Sequence, residues 1–87
     1  MKTYKDLTPR FAICIDNPEY PVSLEIHKIY QVLPDADAEQ DGDLRIIDES
    51  GEDYLYPANY FVLVDLPRDT ALALNQSFSR DINWNSE

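Results

Sequence analysis

Apolar residues in this chain fall in short runs that end at proline, glycine, aspartate or asparagine. Residues 11–15 form one such run, which ends before Asp16, and residues 29–33 form another, which ends before Pro34. Proline does not continue a helix, and runs this short with such boundaries favour buried strands. The whole pattern predicts a mainly β fold of about five short strands, whose tight connections favour a small barrel.

The clearest predicted hairpin joins residues 44–48 to residues 53–56. Ser50 and Gly51 are the predicted turn, because glycine accepts the positive φ that two-residue hairpin loops require. A slip of one residue in the pairing would exchange the two faces of the hairpin, so the register is a prediction in its own right.

A two-residue turn assigns each side chain of this hairpin to a face. It pairs Ile46 with Leu55 and places both on the core side. Tyr54 and Tyr56 then lie on the opposite, more accessible face.

The acidic segment between the second and third strands allows two interpretations. It forms one or two helical turns, with Asp35 as N-cap and Gly42 just past the C-terminus, or it is an open acidic loop. Its carboxylates partly follow the spacing of a calcium-binding loop. Arg45 and the flanking strands argue against calcium, so we predict no metal site and no cofactor, and cation binding by residues 35–43 stays open.

Eighty-seven residues predict a single domain over 1–87. We expect an N-terminal arm over 1–9, a barrel over about 11–66, and a C-terminal helix and tail over 67–87. The helix is predicted to be short, over residues 70–74, with Asp69 as its N-cap. Trp84 near the end of the tail is a candidate interface anchor.

Charge and composition narrow the classes of partner. The formal net charge is −10, and the seven basic residues are scattered along the chain. Such a surface repels nucleic-acid backbones and anionic membranes, so we expect neither as a partner and favour a basic protein. One cysteine, no long apolar stretch and no signal-peptide pattern predict a cytoplasmic protein.

Residues suited to catalysis are scarce. The chain has one histidine, His27, and one cysteine, Cys14, which lies in an apolar run where a thiol is usually inert. It contains no glycine-rich phosphate loop, nucleophile elbow or metal-ligand spacing. We therefore predict that the protein is not an enzyme.

The segment Tyr56-Pro57-Ala58-Asn59-Tyr60 resembles the end of Src-homology-3 domains, in which a Pro-x-Asn-Tyr sequence forms a 3₁₀ turn between the last two strands. The whole chain, and residues 45–58 above all, is more closely similar to a family of small bacterial proteins. That resemblance implies an SH3-like barrel, here with a short C-terminal helix, and a bacterial source. It implies no activity.

The resemblance to Src-homology-3 domains nominates Pro57, Asn59 and Tyr60 as binding residues. Together with the two hairpin tyrosines, they make a candidate binding surface of Tyr54, Tyr56, Pro57, Asn59 and Tyr60. Polyproline grooves need stacked aromatic walls, and this chain has Cys14 and Asp16 where the family has tyrosines and no tryptophan entering the third strand.

These observations predict a small protein–protein interaction module. The alternative from a different class is a homo-oligomeric structural or regulatory subunit, assembled through the C-terminal segment. The identity of the partner and the oligomeric state are not encoded in any motif of the chain.

Overall fold

The computed structural model describes the backbone of residues 8–85 and the side chains of residues 8–78. The described residues form the following elements: β1 (Arg10–Cys14), β2 (Ile29–Leu33), α1 (Ala36–Gln40), β3 (Asp43–Ile47), β4 (Asp53–Pro57), a 3₁₀ turn (Ala58–Tyr60), β5 (Phe61–Val64) and α2 (Arg68–Asn85). The prediction of a mainly β fold with five strands and a C-terminal helix is confirmed. The first seven residues of the predicted N-terminal arm lie outside the described residues.

All strands pair antiparallel in one sheet with the order β4-β3-β2-β1-β5. In a flat sheet, four spacings would separate the edge strands by about 19 Å. The rings of Tyr56 in β4 and Phe61 in β5 nevertheless lie 6.3 Å apart, so the sheet is strongly curled. Within residues 8–85, no hydrogen-bonded register joins β4 to β5, and the curled sheet is not closed.

The core fills the inner face of the curled sheet. Alternate residues of each strand point there, as the two-residue period of a strand requires. Leu24, from the long connection between β1 and β2, covers this face and is fully buried. The other members of the core are Ala12, Cys14, Tyr30, Val32, Leu44, Ile46, Tyr56 and Phe61.

Helix α2 lies against part of the outer face of the sheet, at β1 and β2. Phe11 of β1 is 1% exposed and stacks on Phe78 of α2 at 5.9 Å between ring centres. Gln31 Nε2 of β2 donates a hydrogen bond of 2.8 Å to Asn75 Oδ1. Ala71 is also buried, so the helix is held by its apolar side and by one polar contact.

The helix is longer than predicted and begins earlier. It runs over Arg68–Asn85, so Asp69 lies in the first turn and the prediction that it is the N-cap is wrong. The predicted helix over residues 70–74 is only its first part. Trp84 lies in the C-terminal part of α2, and its side chain is outside the described residues.

The register of the β3–β4 hairpin differs from the prediction by one residue. Ile46 pairs with Tyr54, and Leu44 pairs with Tyr56. Tyr56 is therefore a core residue, whereas Leu55 is 45% exposed on the outer side. The predicted pairing of Ile46 with Leu55 is wrong. So is the predicted outward face for Tyr54 and Tyr56, because Tyr54 pairs with the core residue Ile46, although Tyr54 itself is 49% exposed.

The cause of the slip is a loop of three residues instead of two. Asp48 N–H donates to Glu52 O at 3.1 Å, and Gly51 N–H donates to Asp48 O at 3.0 Å. Gly51 has φ +85, which is the conformation that closes three-residue hairpin loops. The prediction that Gly51 adopts positive φ is confirmed, but the additional loop residue shifts every pair in the hairpin.

Gly51→Ala is expected to lower the free energy of unfolding by about 1 kcal/mol, because alanine disfavours the left-handed region. A Cβ atom at this position meets nothing within 4 Å, so the cost is conformational and not steric. Urea denaturation measures the change. Gly51→Asn is the control, because asparagine tolerates positive φ and should lose less. Equal losses for both variants would contradict this account of the turn.

The acidic segment adopts the helical alternative. Asp35 is the N-cap of α1, and its Oδ1 accepts a hydrogen bond of 3.0 Å from Ala38 N–H. Gly42 follows the helix with φ +88. The helix is only five residues long, and it connects β2 to β3 across the end of the sheet.

Candidate functional site

Tyr20, in the connection between β1 and β2, is the centre of an aromatic cluster. Its ring lies edge-on to Tyr56 at 5.0 Å and tilted to Tyr60 at 6.3 Å between ring centres. Tyr54 lines the same pocket as Tyr20. We call Tyr20, Tyr54 and Tyr60, with the edge of Tyr56 beneath them, the tyrosine surface.

The five predicted binding residues differ in accessibility. Tyr54 is 49% exposed and Asn59 is exposed, whereas Pro57 and Tyr60 are half-buried. Tyr56 is 4% exposed, so its ring supports the others and offers little surface of its own. The structure brings Tyr54, Tyr56 and Tyr60 to one region.

Tyr20 was not among the predicted site residues, although its ring contacts both Tyr56 and Tyr60. Its backbone is held on both sides: Tyr20 N–H donates to Asn17 O at 3.0 Å, and Leu24 N–H donates to Tyr20 O at 2.9 Å. Asn17 Nδ2 also donates to Leu24 O at 2.7 Å. Because Leu24 is buried, the loop is anchored and Tyr20 has a fixed place. An aromatic residue close to Pro18 and Pro21, in a segment unsuited to helix, was the available signal.

Beside Tyr20, the tip of the β3–β4 hairpin forms a small open pocket of about 370 Å³. Its walls are the rings of Tyr20, Tyr54 and Tyr56, with Ser23, Ser50, Leu55 and Asp48 completing the lining. The pocket therefore combines aromatic faces with one carboxylate.

Asp48 is 6% exposed and accepts three hydrogen bonds. Its Oδ1 accepts from Ser50 N–H at 2.9 Å and from Ser50 Oγ at 2.6 Å, and its Oδ2 accepts from the Tyr56 hydroxyl at 2.5 Å. All three donors are neutral groups. The Asp48 carboxylate is thus stabilised by hydrogen bonds, and no cation among the described residues pairs with it.

Burial and hydrogen bonding act in opposite directions on Asp48. Burial raises the pKa of its carboxyl, but the hydrogen bonds from Ser50 and Tyr56 outweigh burial and leave the pKa below its ordinary value. Burial and the bond to Asp48 raise the pKa of Tyr56 to about 12. At neutral pH, Asp48 is ionised and Tyr56 keeps its proton.

The neighbouring acids of the hairpin tip have other partners. Glu49 accepts from the Tyr30 hydroxyl and pairs with Lys28 Nζ at 2.9 Å. Hydrogen bonds from Lys28 and Tyr30 lower the pKa of Glu49. Glu52 Oε1 accepts from the Tyr54 hydroxyl at 3.1 Å, which places one more carboxylate beside Tyr54.

Acidic residues also border the far side of the tyrosine surface. Desolvation first, and then the nearby charges of Glu19 and Asp16, raise the pKa of Tyr60. Both carboxylates belong to the connection between β1 and β2 and are exposed. The tyrosine surface is therefore aromatic in the middle and negative at both ends.

Cys14 and His27 form no reactive pair. The Cys14 side chain is completely buried, burial raises its thiol pKa, and Sγ donates to Asp16 O at 3.3 Å. The contact between the two residues is a backbone bond of 2.7 Å from His27 N–H to Cys14 O. A buried thiol with a raised pKa is a poor nucleophile.

A larger open pocket of about 850 Å³ lies between the start of β1, α1 and the end of β5. Two of its charged pairs are internal, since Arg10 pairs with Glu39 and Asp35 pairs with Arg45. The capping bond from Ala38 first, and then Arg45, hold the pKa of Asp35 below its ordinary value. Asp65 and Arg68 also line the pocket, so exposed charges of both signs border it.

Over the described residues, no group of three or more histidine, cysteine, aspartate or glutamate side chains is arranged to hold a metal ion. No helix in the same part of the chain is long and apolar enough to cross a membrane. No family model, curated protein or solved structure matches the chain.

Proposed function

We propose that the protein is a non-enzymatic interaction module that binds a basic, partly apolar segment of a protein partner on the tyrosine surface. The observation that carries this proposal is a partly exposed aromatic cluster with the carboxylate of Asp48 beneath it and acidic residues beside it. Tyrosine is enriched at interfaces because it offers a large apolar face and a polar tip. The net charge of −10 adds long-range attraction for a basic partner.

We further propose that the fold belongs to the SH3-like barrels and that the protein works in the bacterial cytoplasm. The strong curl of the sheet supports the barrel relationship. So does the 3₁₀ turn Ala58–Tyr60 between β4 and β5, which lies where the resemblance to Src-homology-3 domains implies it. The buried, reduced Cys14 is compatible with a reducing compartment.

The homo-oligomeric alternative stays a prediction. The described part of α2 docks on its own sheet through Ala71 and the Phe11–Phe78 stack, which favours a helix that completes the fold of one chain. We therefore place the interaction site on the tyrosine surface and not on α2.

Selection from a random peptide library displayed on phage tests the proposed function. Peptides that combine arginine or lysine with apolar residues are expected to be enriched on the full-length chain. Their affinity should fall about 30-fold on Tyr20→Ala, the effect of removing an interface hot spot. Tyr60→Ala should weaken the same peptides.

Val62→Ala is the matched control, because Val62 is 52% exposed and pairs with Ile13 on the outer face of the sheet. It should bind every selected peptide as the unchanged protein does. Peptides that ignore both tyrosine substitutions, or a library that yields no enriched sequence, would refute the proposal. Peptides rich in proline and free of basic residues would point instead to a polyproline groove.

A further inference from the structure

The pocket at the hairpin tip is the most selective part of the tyrosine surface. Three tyrosine rings surround a space of about 370 Å³, which is large enough for one long side chain. Tyr54 is half-exposed at the entrance, and Tyr20 and Tyr56 meet edge to face at the opposite wall. Aromatic faces of this kind attract cations through the ring quadrupole.

The Asp48 carboxylate, which lies beneath this pocket, has no counter-ion within the described residues. None of the four ion pairs found there includes Asp48. Arg45, the nearest basic residue along the chain, pairs with Asp35 and Asp53, and Lys28 pairs with Glu49, the neighbour of Asp48. A buried ionised carboxylate is normally paired, and this one faces a pocket open to solvent.

The hydrogen bonds of Asp48 restrict the kind of cation. Its two oxygens offer about four acceptor positions, of which Ser50 and Tyr56 occupy three. The site therefore offers a ligand a negative charge and aromatic faces, but few free hydrogen-bond acceptors. A strongly hydrated ammonium would lose water without replacing its hydrogen bonds, whereas a guanidinium is weakly hydrated and stacks on aromatic rings.

We propose that this pocket binds the guanidinium group of one arginine side chain from the protein partner, which rests on the proposed function and names the residue that anchors it. The guanidinium stacks against Tyr54 and Tyr20, above the negative charge of Asp48. Glu52, held by the Tyr54 hydroxyl, supplies an acceptor beside Tyr54. Arginine is thereby preferred over lysine.

The test uses four synthetic peptides that differ at one central position, which is arginine, citrulline, lysine or trimethyllysine, between neutral flanking residues. Citrulline matches the planar shape of arginine and lacks its charge. Each peptide is titrated into the isotopically labelled full-length protein at low salt, and backbone amide shifts are followed. The arginine peptide should shift the amides of Tyr20, Ser50 and Tyr54 and bind about tenfold more tightly than the citrulline peptide.

One variant locates the binding, and a second is its control. Tyr54→Leu keeps an apolar side chain and removes one aromatic face, so arginine should bind it no better than citrulline binds the unchanged protein. Val62→Ala changes an exposed side chain on the outer face of the sheet, away from the pocket, and should keep the tighter arginine binding. Unchanged amide shifts away from position 54 or 62 establish that each variant is folded.

Three results would overturn the proposal: equal binding of arginine and citrulline, a preference for lysine or trimethyllysine, or shifts confined to α1 and its acidic residues. These results are separable from failure of the proposed function. If library peptides depend on Tyr20 and Tyr60 but not on Tyr54, the proposed interaction surface is supported and the proposed arginine pocket is refuted. If the pocket binds arginine specifically but no library peptide is enriched, the arginine pocket is supported and the proposed function is refuted.

Discussion

Phe11→Ala is expected to remove about 3–5 kcal/mol from the free energy of unfolding, the usual cost of truncating a buried phenylalanine. Phe11 is 1% exposed and is the ring on which Phe78 of α2 stacks. A domain of this size has only about 5 kcal/mol or a little more to lose. The variant should therefore be largely unfolded at room temperature, or melt roughly 20 °C lower if it still folds. Thermal and urea unfolding followed by circular dichroism measure both outcomes.

Val62→Ala is the control for this prediction, because it removes apolar atoms from an exposed position on the same face of the sheet. It should cost no more than about 1 kcal/mol. Phe78→Ala tests the contact from the helix side, and the double variant should lose less than the sum of the two single losses, because they remove the same stack. If Phe11→Ala proved as mild as Val62→Ala, the packing of α2 on the sheet would be wrong.

The strands could be predicted from the sequence because their boundaries are set locally. β2 (Ile29–Leu33) has the predicted bounds, since Pro34 ends an apolar run of strand length. The capping of α1 by Asp35 and the place of Gly42 just past its C-terminus were also among the predicted alternatives. Each of these features depends on residues within one turn of the chain.

The hairpin register could not be obtained from periodicity, because a loop of two or three residues fits the same alternation of side chains. The deciding contacts are the bonds from Ser50 N–H and Ser50 Oγ to Asp48 Oδ1, which stabilise the turn from its first position. Asp48 followed three residues later by Gly51 is a signature of a turn with aspartate first and glycine fourth. That signal predicts the observed register when it is given more weight than the Ser50-Gly51 pair.

The length of α2 depends on contacts between distant parts of the chain. Its later residues are rich in asparagine and serine, which are weak helix formers. The spacing of Ala71, Leu74 and Phe78 fits one helical face, and Phe11 gives that face a partner. Tertiary packing therefore stabilises the helix as far as Phe78, beyond the predicted end at residue 74.

The tyrosine surface was predicted only in part for the same reason. Tyr54, Tyr56 and Tyr60 lie close together in the sequence, and they meet in the structure. Tyr20 is far from them along the chain, and it reaches them because buried Leu24 anchors its loop. The burial of Tyr56 follows from the hairpin register. Because the register was predicted wrongly, Tyr56 was wrongly predicted to be an accessible residue of the site.

Asp48→Ala is expected to lower the free energy of unfolding by about 1–3 kcal/mol, because a buried donor such as the Tyr56 hydroxyl costs about that much when it loses its acceptor. The Tyr56 hydroxyl and the Ser50 N–H would both lose the carboxylate that accepts their hydrogen bonds. Asp48→Asn keeps the volume and one carbonyl oxygen for Ser50, so it should lose less. Tyr56→Phe removes the opposite partner, and its combination with Asp48→Asn should show a coupling of about 1 kcal/mol or more. Strict additivity would contradict the Asp48–Tyr56 bond.

The pH dependence of the difference between the unchanged protein and Asp48→Asn isolates the charge of Asp48. Its pKa in the folded protein is below the ordinary value of about 3.9, so the ionised form favours folding. That contribution is fully present above pH values of about 5 and is lost progressively as the pH falls through the lowered pKa. Asp35 shifts in the same direction, but it is present in both proteins and cancels in the difference. The charge of Asp48 raises the pKa of neighbouring Glu49, so its removal lowers the Glu49 pKa further and opposes the main effect by a smaller amount. Urea denaturation should therefore show a constant gap near neutral pH that narrows in acid. A gap that widened in acid would mean that burial, and not hydrogen bonding, dominates at Asp48, and the negative charge beneath the tyrosine pocket would be lost with it.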